Sequence, residues 1–293
     1  MKIAGIVAEY NPFHTGHAYQ IACTRAQLGE DCAIAAVMSG HWVQGGRPAI
    51  ADKWTRTKLA LLGGADLVLE LPTVWAVSSA ETFARGAVEL LAAAQVMDVL
   101  SFGSECGEAD KLRRVAICLN SPEYETGLRR LVEGGTPFAA ARQGAVDGLL
   151  GPELAGLLST PNNNLGVEYI RSLNKLKSKI QPMTIRREGA PHDSLLTETE
   201  RPQFCSATQL RAFLDGKDWA ALEPYLPEGG LEVLRAGWNS FPTLRRAERG
   251  LLARLRTMTA EDWSHIPDSG AGEGLPPRLE RAGKQCRSLE EFT

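Results

Sequence analysis

The sequence predicts an α/β protein built on a parallel sheet of about five strands, with a helical insertion and a helical C-terminal region. Three observations carry this. Strand-length apolar runs recur at Lys2–Ala8, Ala33–Met38, Leu67–Leu71, Val99–Phe102 and Gln181–Ile185. Helix-length segments separate them, and strands alternating with helices imply a parallel sheet covered on both faces. Small or polar turn residues follow several of these runs, so the strands' carboxyl ends share the edge where an open α/β sheet binds ligands.

Composition narrows the class. Of 293 residues, 44% are hydrophobic and 23% charged, which is ordinary for a globular chain able to bury a core. No apolar run approaches the ~18–20 residues of a membrane span. The N-terminus turns polar too soon for a signal peptide. Cys23, Cys32, Cys106, Cys118, Cys205 and Cys286 are scattered with no C-x-x-C pair, so reduced thiols, no metal site and a cytoplasmic location are expected. A net charge of −3 excludes a generally basic nucleic-acid binder; RNA contacts would come from local patches.

In chain order, the first strand ends in Glu9-Tyr10-Asn11-Pro12-Phe13-His14-Thr15-Gly16-His17, and a helix over Ala18–Leu28 follows, closed by Gly29. The first N–H groups of a helix are unpaired and carry partial positive charge, which suits an anion at this turn. His14 and His17 are three apart and can face one spot, and Gly16 removes a side chain that would hold a phosphate off the backbone. After the second strand comes a loop, Ser39–Ala49, then a helix capped by Asp52 that runs to Leu62 and ends at Gly63-Gly64. Pro72 stops the third strand, and Ser78-Ser79-Ala80-Glu81 starts a helix to about Ala94. The fourth strand ends in Gly103-Ser104-Glu105.

Residues from about 107 to 160 read as a helical insertion with no strand, in which Thr136-Pro137 supplies an N-cap and first helical residue. Thr160-Pro161-Asn162-Asn163-Asn164 opens a helix through Leu173; the asparagines suit capping, or one carboxamide faces a base or ribose. Arg186-Arg187 ends the fifth strand. Cys205-Ser206-Ala207-Thr208-Gln209-Leu210-Arg211 starts a helix ended by Gly216. The rest is mostly helical, and Thr243–Met258 is amphipathic, with Leu244, Ala247, Leu251, Leu255 and Met258 on one face and Arg245, Arg249 and Arg256 on another. The chain thus divides into a nucleotide-binding region at 1–200 and a helical region at 201–293.

His-x-Gly-His between a strand and a helix resembles the signature of the nucleotidyltransferase superfamily, and S-x-T-x-x-R at 206–211 resembles its second phosphate-binding element. Further segments are similar to the tRNA(Met) cytidine acetate ligases: GIVAEYNPFHTGH at 5–17, MSGHWVQ at 38–44, PAIADKWTR at 48–56, GADLVLELP at 64–72, FGSE at 102–105, PNNNLGVEYI at 161–170 and IRREGA at 185–190. This resemblance implies a Rossmann-like sheet of the HxGH nucleotidyltransferase type. It also implies an enzyme that activates acetate with ATP, Mg²⁺ accompanying the nucleotide, and passes the acetyl group to N4 of the wobble cytidine of elongator tRNA(Met). Carried over, His14 and His17 would be catalytic. ATP would be bound by Val7, Ala8, Glu9, Tyr10, Asn11, Pro12, Phe13, Thr15, Gly16, Ala18, Tyr19 and Gln20 beside the two histidines, and by Gly103, Asn162, Arg187, Ser206 and Thr208.

Two segments depart from the family pattern. Gln44-Gly45-Gly46-Arg47-Pro48 stands where Gln-Arg-Gly-Glu-Pro is usual, and Pro191-His192-Asp193 lacks a tyrosine. Family members also continue into a basic segment, whereas this sequence ends at Thr293. All adenylation elements precede residue 212, so acetyl-adenylate formation is expected to persist. Transfer to tRNA would rest on Arg171, Lys175, Lys177, Lys179, Arg186, Arg187, Arg245, Arg249 and Arg256, and is expected to be weak and partly rescued at low salt. A small-molecule adenylyltransferase and a non-catalytic nucleotide- or RNA-binding relative are the alternatives.

Overall fold

The computed structural model describes residues 1–187, 204–238, 244–266 and 274–292. Strand β1 (Ile3–Ala8) leads to helix α1 (Thr15–Leu28), then β2 (Ala33–Ser39), a hairpin of β3 (Trp42–Val43) and β4 (Arg47–Pro48), and α2 (Lys53–Leu62). Next come β5 (Leu67–Leu71), α3 (Thr73–Ala76), α4 (Ala80–Ala93) and β6 (Val99–Ser104). The insertion is four helices, α5 (Ala109–Cys118), α6 (Pro122–Glu133), α7 (Phe138–Leu150) and α8 (Pro152–Gly156), before α9 (Pro161–Lys175) and β7 (Gln181–Arg186). The C-terminal helices are α10 (Ala207–Asp215), α11 (Trp219–Leu222), α12 (Gly230–Gly237), α13 (Glu248–Thr257), α14 (Ala260–Ser264), α15 (Leu275–Gln285) and α16 (Leu289–Phe292).

All five long strands are parallel, in the order β5-β2-β1-β6-β7. This is the expected Rossmann-like sheet, with β1 at its centre. Two apolar layers sandwich it. On one face, Phe83, Val88 and Leu91 of α4 and Val167, Tyr169 and Ile170 of α9 pack with Leu100 and Phe102 of β6. On the other, Tyr10, Phe13 and Ile21 pack with Leu59 of α2 and with Leu210, Leu222 and Leu234 of the C-terminal helices. The two faces meet at the carboxyl edge of β1, where the histidine turn lies.

Local chemistry moves several boundaries. Helix α1 begins at Thr15 rather than Ala18, because the His14 side chain serves as its N-cap. Pro137, not Thr136, occupies the N-cap position of α7, and the Thr136 N–H instead closes the preceding helix onto the Leu131 carbonyl at 3.0 Å. The Ser39–Ala49 loop contains the β3–β4 hairpin, turned at Gly45 and Gly46, which take φ of 78° and 70°. Asp52 caps α2 as expected, accepting from the Trp54 and Thr55 N–H groups at 2.9 Å each.

The amphipathic segment is also corrected. Thr243 lies outside the described residues, Leu244–Ala247 form a 3-10 turn, and only Glu248–Thr257 is α-helix. Three residues per turn instead of 3.6 shifts the face, so Ala247 is exposed and Leu252 is buried in its place. The 188–203 segment, with Pro191-His192-Asp193, and the 267–273 loop lie outside the described residues.

Candidate active site

The histidine turn is built by a fold-back of its own side chains. His14 Nδ1 accepts the Gly16 N–H at 3.0 Å, and His17 Nδ1 accepts the His14 N–H at 3.2 Å, so the two form a reciprocal capping box with imidazoles in place of the usual hydroxyl and carboxylate. Both Nδ1 atoms accept from the backbone, which puts each ring's proton on Nε2. The ring centroids lie 3.9 Å apart. Gly16 makes this possible: a Cβ there would sit 2.9 Å from the His14 ring.

This alters the expected phosphate contacts. The Gly16 N–H is taken by His14, and the His17 and Ala18 N–H groups bond the His14 carbonyl at 2.8 and 3.2 Å. The donors left to meet an anion are therefore chiefly imidazole Nε2–H groups rather than the backbone of α1. Burial, helped by the nearby Arg187 charge, lowers the His14 pKa to about 3. His17 is lowered by burial, by His14 and by Arg187. Both rings are neutral at pH 7.

That has a consequence for stability. The folded His14 pKa lies far below the ordinary 6.5, so below pH 6.5 the unfolded chain takes up a proton that the folded chain refuses. The stabilisation is complete above pH 6.5 and is lost as pH falls toward 3. Urea unfolding at pH 7 and pH 5 is expected to show a loss of roughly 1–2 kcal/mol attributable to His14. His14→Asn keeps a capping oxygen but cannot titrate, and should lack that component; an identical pH dependence in the variant would refute the assignment.

The turn is pinned from three sides. Asn11 Oδ1 accepts the Ile50 N–H at 2.8 Å, and the Asn11 carbonyl accepts from Arg211 Nη1 at 3.2 Å. Tyr10, at φ 45° and 2% exposed, packs against Phe13 and His17 with centroids at 4.8 and 4.9 Å. Beneath it lies Arg56, fully buried, which donates to the carbonyls of Glu9, Ser39, Gly40 and Ala51.

Two connected openings flank the histidines. A small one of about 40 Å³ is lined by Tyr19, Gln20, Gly103, Arg187 and Phe204 beside His14, Gly16 and His17. A large one of about 830 Å³ takes in Val7, Ala8, Glu9, Tyr10 and Asn11 at the end of β1, and Asn162, Ser206 and Thr208 across from it. Of the expected residues, Pro12, Phe13, Thr15 and Ala18 line neither opening. Phe13 is wholly buried with its ring against Gly63, so it anchors the turn.

The expected residues outside the turn also come together. The Arg187 N–H bonds the Ser104 carbonyl at 2.9 Å, which sets its side chain over Gly103. The Asn162 carboxamide donates to Glu105 Oε1 at 2.6 Å and accepts from Arg187 at 3.5 Å. Glu105 also takes the Asn162 and Asn163 N–H groups at 3.2 and 2.7 Å, capping α9 from another strand end. Ser206 caps α10, and Thr208 Oγ1 accepts from Arg211 Nη2 at 2.8 Å. Arg211 thus ties the second element to the first, a latch that the S-x-T-x-x-R spacing suggested but that the site expectation left out.

Sequence reasoning missed other walls of the large cavity: Arg47 and Gly45 of the hairpin, and Phe83, Phe102, Leu165 and Tyr169 from the opposite face of the sheet. Apolar residues at helical spacing give no signal separating a cavity wall from core. The proposed tRNA cations need correction too. Arg171 is 13% exposed and pairs with Glu168 at 2.8 Å and Glu81 at 3.6 Å, and Lys175 pairs with Glu81 at 3.4 Å. Arg171 is held within the helix layer instead of facing a partner.

Chemically, neutral N–H donors, two arginines and two hydroxyls converging on one sheet edge suit a polyphosphate. Comparisons with known proteins point the same way. A family model described as HIGH Nucleotidyl Transferase matches residues 1–293. A protein of Thermoanaerobacter sp. (strain X514), named tRNA(Met) cytidine acetate ligase, is 39% identical over all of this chain and 72% of its own length. A Caldanaerobacter subterraneus protein of the same name is 44% identical over 82% of this chain and 59% of its own. The crystal structure of Thermotoga maritima TmcAL bound with alpha-thio ATP superposes with a TM-score of 0.87 at 36% identity, covering all of this chain and 69% of that one.

Proposed function

The chain belongs to the tRNA(Met) cytidine acetate ligases of the HIGH nucleotidyl transferase family, and from that premise we propose that it activates acetate as acetyl-adenylate and acetylates N4 of the wobble cytidine of elongator tRNA(Met). The observation that carries this is the pair of neutral, Nε2-protonated histidines set beside Arg187 at the sheet edge. Acetate is ionised at neutral pH and needs no general base to attack the α-phosphate. It needs its repulsion from the phosphates suppressed and the charge on the phosphoryl oxygens stabilised. Neutral imidazole donors do this, since their dipoles are fixed before the reaction begins.

In this reading the adenine lies on the Gly103 and Gln20 side, where the small opening joins the large cavity, the α-phosphate meets His14 and His17, and the pyrophosphate runs toward Ser206, Thr208 and Arg211. The 1–200 region supplies the nucleotide-binding turn and the 201–293 region the second phosphate element. Among the described residues no cluster of three or more carboxylate, histidine or cysteine side chains suits a resident metal. Mg²⁺ would be held by the phosphate oxygens of ATP, where it would neutralise pyrophosphate charge. No helix among the described residues is long and apolar enough to cross a membrane, and a cytoplasmic location fits a tRNA substrate.

Acetate-dependent ATP–pyrophosphate exchange, run without tRNA, tests the first half-reaction, and labelled acetyl transfer to tRNA(Met) the second. No exchange at any acetate concentration would overturn the proposal. A Cβ at Gly103 would lie 3.3 Å from Arg187 Cγ and face the adenine opening. Gly103→Val is expected to abolish ATP binding in calorimetry while leaving the ligand-free melting temperature nearly unchanged. A large loss of stability instead would mark Gly103 as a purely structural position.

A further inference from the structure

Once ATP is assigned to the small opening and the Ser206–Arg211 side, the far end of the large cavity has no occupant. It is made by residues of the other face of the sheet, Phe83 of α4, Phe102 of β6, and Leu165 and Tyr169 of α9. Phe83 and Phe102 are each 3% exposed and Tyr169 is 4% exposed, with the Phe102 and Tyr169 rings 5.6 Å apart at 59°. Tyr169 is buried as a residue but lines this cavity, and its hydroxyl is not among the sealed side-chain atoms, so it is open to the cavity space. A hydroxyl opening into an aromatic-walled cavity can pair with a polar group of whatever enters it. The Glu9 carboxylate lines the same space, its Oε1 accepting the Gln44 N–H at 2.7 Å, and its charge reaches Tyr169.

We propose that this aromatic end is the acceptor pocket, which takes the wobble cytosine flipped out of the anticodon loop, with Tyr169 donating to a ring acceptor and Glu9 accepting from the N4 amino group. The inference rests on the reading of the site given above. Aromatic walls suit a base and are larger than a two-carbon acid requires, and an enzyme that modifies a base must bring it out of its stack into such a pocket. A carboxylate is the natural partner of a cytosine amino group. The pocket joins the histidine turn in one continuous cavity, so N4 can reach an acetyl group carried on the α-phosphate.

In the transfer step, N4 attacks the acetyl carbonyl carbon and an N–C bond forms. The bond from that carbon to the phosphate oxygen breaks, and its electron pair leaves with AMP. The N4 proton passes to Glu9 and from there to solvent. The amino nitrogen becomes strongly acidic as it forms the bond, so a carboxylate suffices to take its proton.

Tyr169→Phe keeps the ring and removes only the hydroxyl; Leu165→Trp fills the pocket. Each is compared with wild type in acetate-dependent pyrophosphate exchange without tRNA and in acetyl transfer to tRNA(Met), with melting temperatures checked. Exchange is expected within about twofold of wild type in both. The kcat/KM for transfer is expected to fall about 10–100-fold in Tyr169→Phe, the range of one lost base contact, and to be abolished in Leu165→Trp. Loss of exchange along with transfer would give the pocket to ATP or acetate and overturn the proposal. Unimpaired transfer in Leu165→Trp would overturn it as well, and unimpaired transfer in Tyr169→Phe alone would remove the hydroxyl's role. Absence of exchange in the wild type would strike the underlying reading instead, so the two failures are distinguishable.

Discussion

His17→Ala is expected to lower acetate-dependent pyrophosphate exchange by about 10²–10³-fold, the usual effect of deleting one preorganised donor at a developing charge. His17 does two jobs. Its Nδ1 holds the His14 N–H, and that bond leaves Nε2–H as the donor facing the cavity. Truncation removes the donor and frees the backbone of the neighbouring histidine together. The stability change should be small, on the order of the ~1 kcal/mol of a helix cap. His17→Asn offers a capping oxygen and an N–H donor and should recover part of the activity, whereas His17→Lys adds a charge to a site that burial keeps neutral and should not. Calorimetric titration with ATP and exchange kinetics read both effects. Equal ATP affinity and equal exchange in wild type and His17→Ala would refute the assignment of the turn.

The reach of the sequence follows from which signals are local. Each sheet strand carries a short, mostly apolar run, ended in β2, β5 and β6 by Ser, Gly or Pro and in β1 and β7 by charged residues, and such runs alternating with helices are enough to mark a parallel sheet. The parallel sheet and its ligand-binding edge are legible for this reason. The β3–β4 hairpin has two residues a side, too few for alternation to show. Helix α1 began earlier than expected because histidine is a rare N-cap, and only the three-dimensional fold-back reveals that role.

The site was legible in its motif and not in its far walls. His14, His17, Gly103, Asn162, Arg187, Ser206 and Thr208 all meet at one edge, brought there from five separate strand or helix ends. Phe13 is in the same motif but anchors it from behind. Phe83, Leu165 and Tyr169 lie on helices whose apolar periodicity is fully accounted for by packing, so nothing in the sequence separates cavity from core. Arg171 shows the converse: a cation that looks solvated is enclosed by Glu168, 1% exposed, and by Glu81.

Arg56→Met is expected to give the largest loss of stability of any single change discussed, about 3–5 kcal/mol, or a melting temperature lower by roughly 10 °C. Arg56 is 0% exposed, yet its guanidinium spreads over the carbonyls of Glu9 at the end of β1, Ser39 and Gly40 at the end of β2, and Ala51 before α2. Burial pulls its pKa down to about 10, with Glu9, Asp52 and Glu70 opposing that pull, so it stays charged at neutral pH. A planar fork with five donors can join three chain segments in this way; an ammonium cannot. Methionine fills much the same space but leaves several buried carbonyls without a donor, each at a cost of about 1–3 kcal/mol that local relaxation partly offsets. Arg56→Lys should therefore recover little, although it keeps the charge. The end of β1 leads directly into the histidine turn, so ATP affinity should fall along with stability, and the rise in melting temperature produced by saturating ATP should shrink. Thermal unfolding with and without ATP measures both. An Arg56→Met protein that melts within 2 or 3 °C of wild type (less than ~1 kcal/mol) would show that the clamp is not what holds these strand ends together.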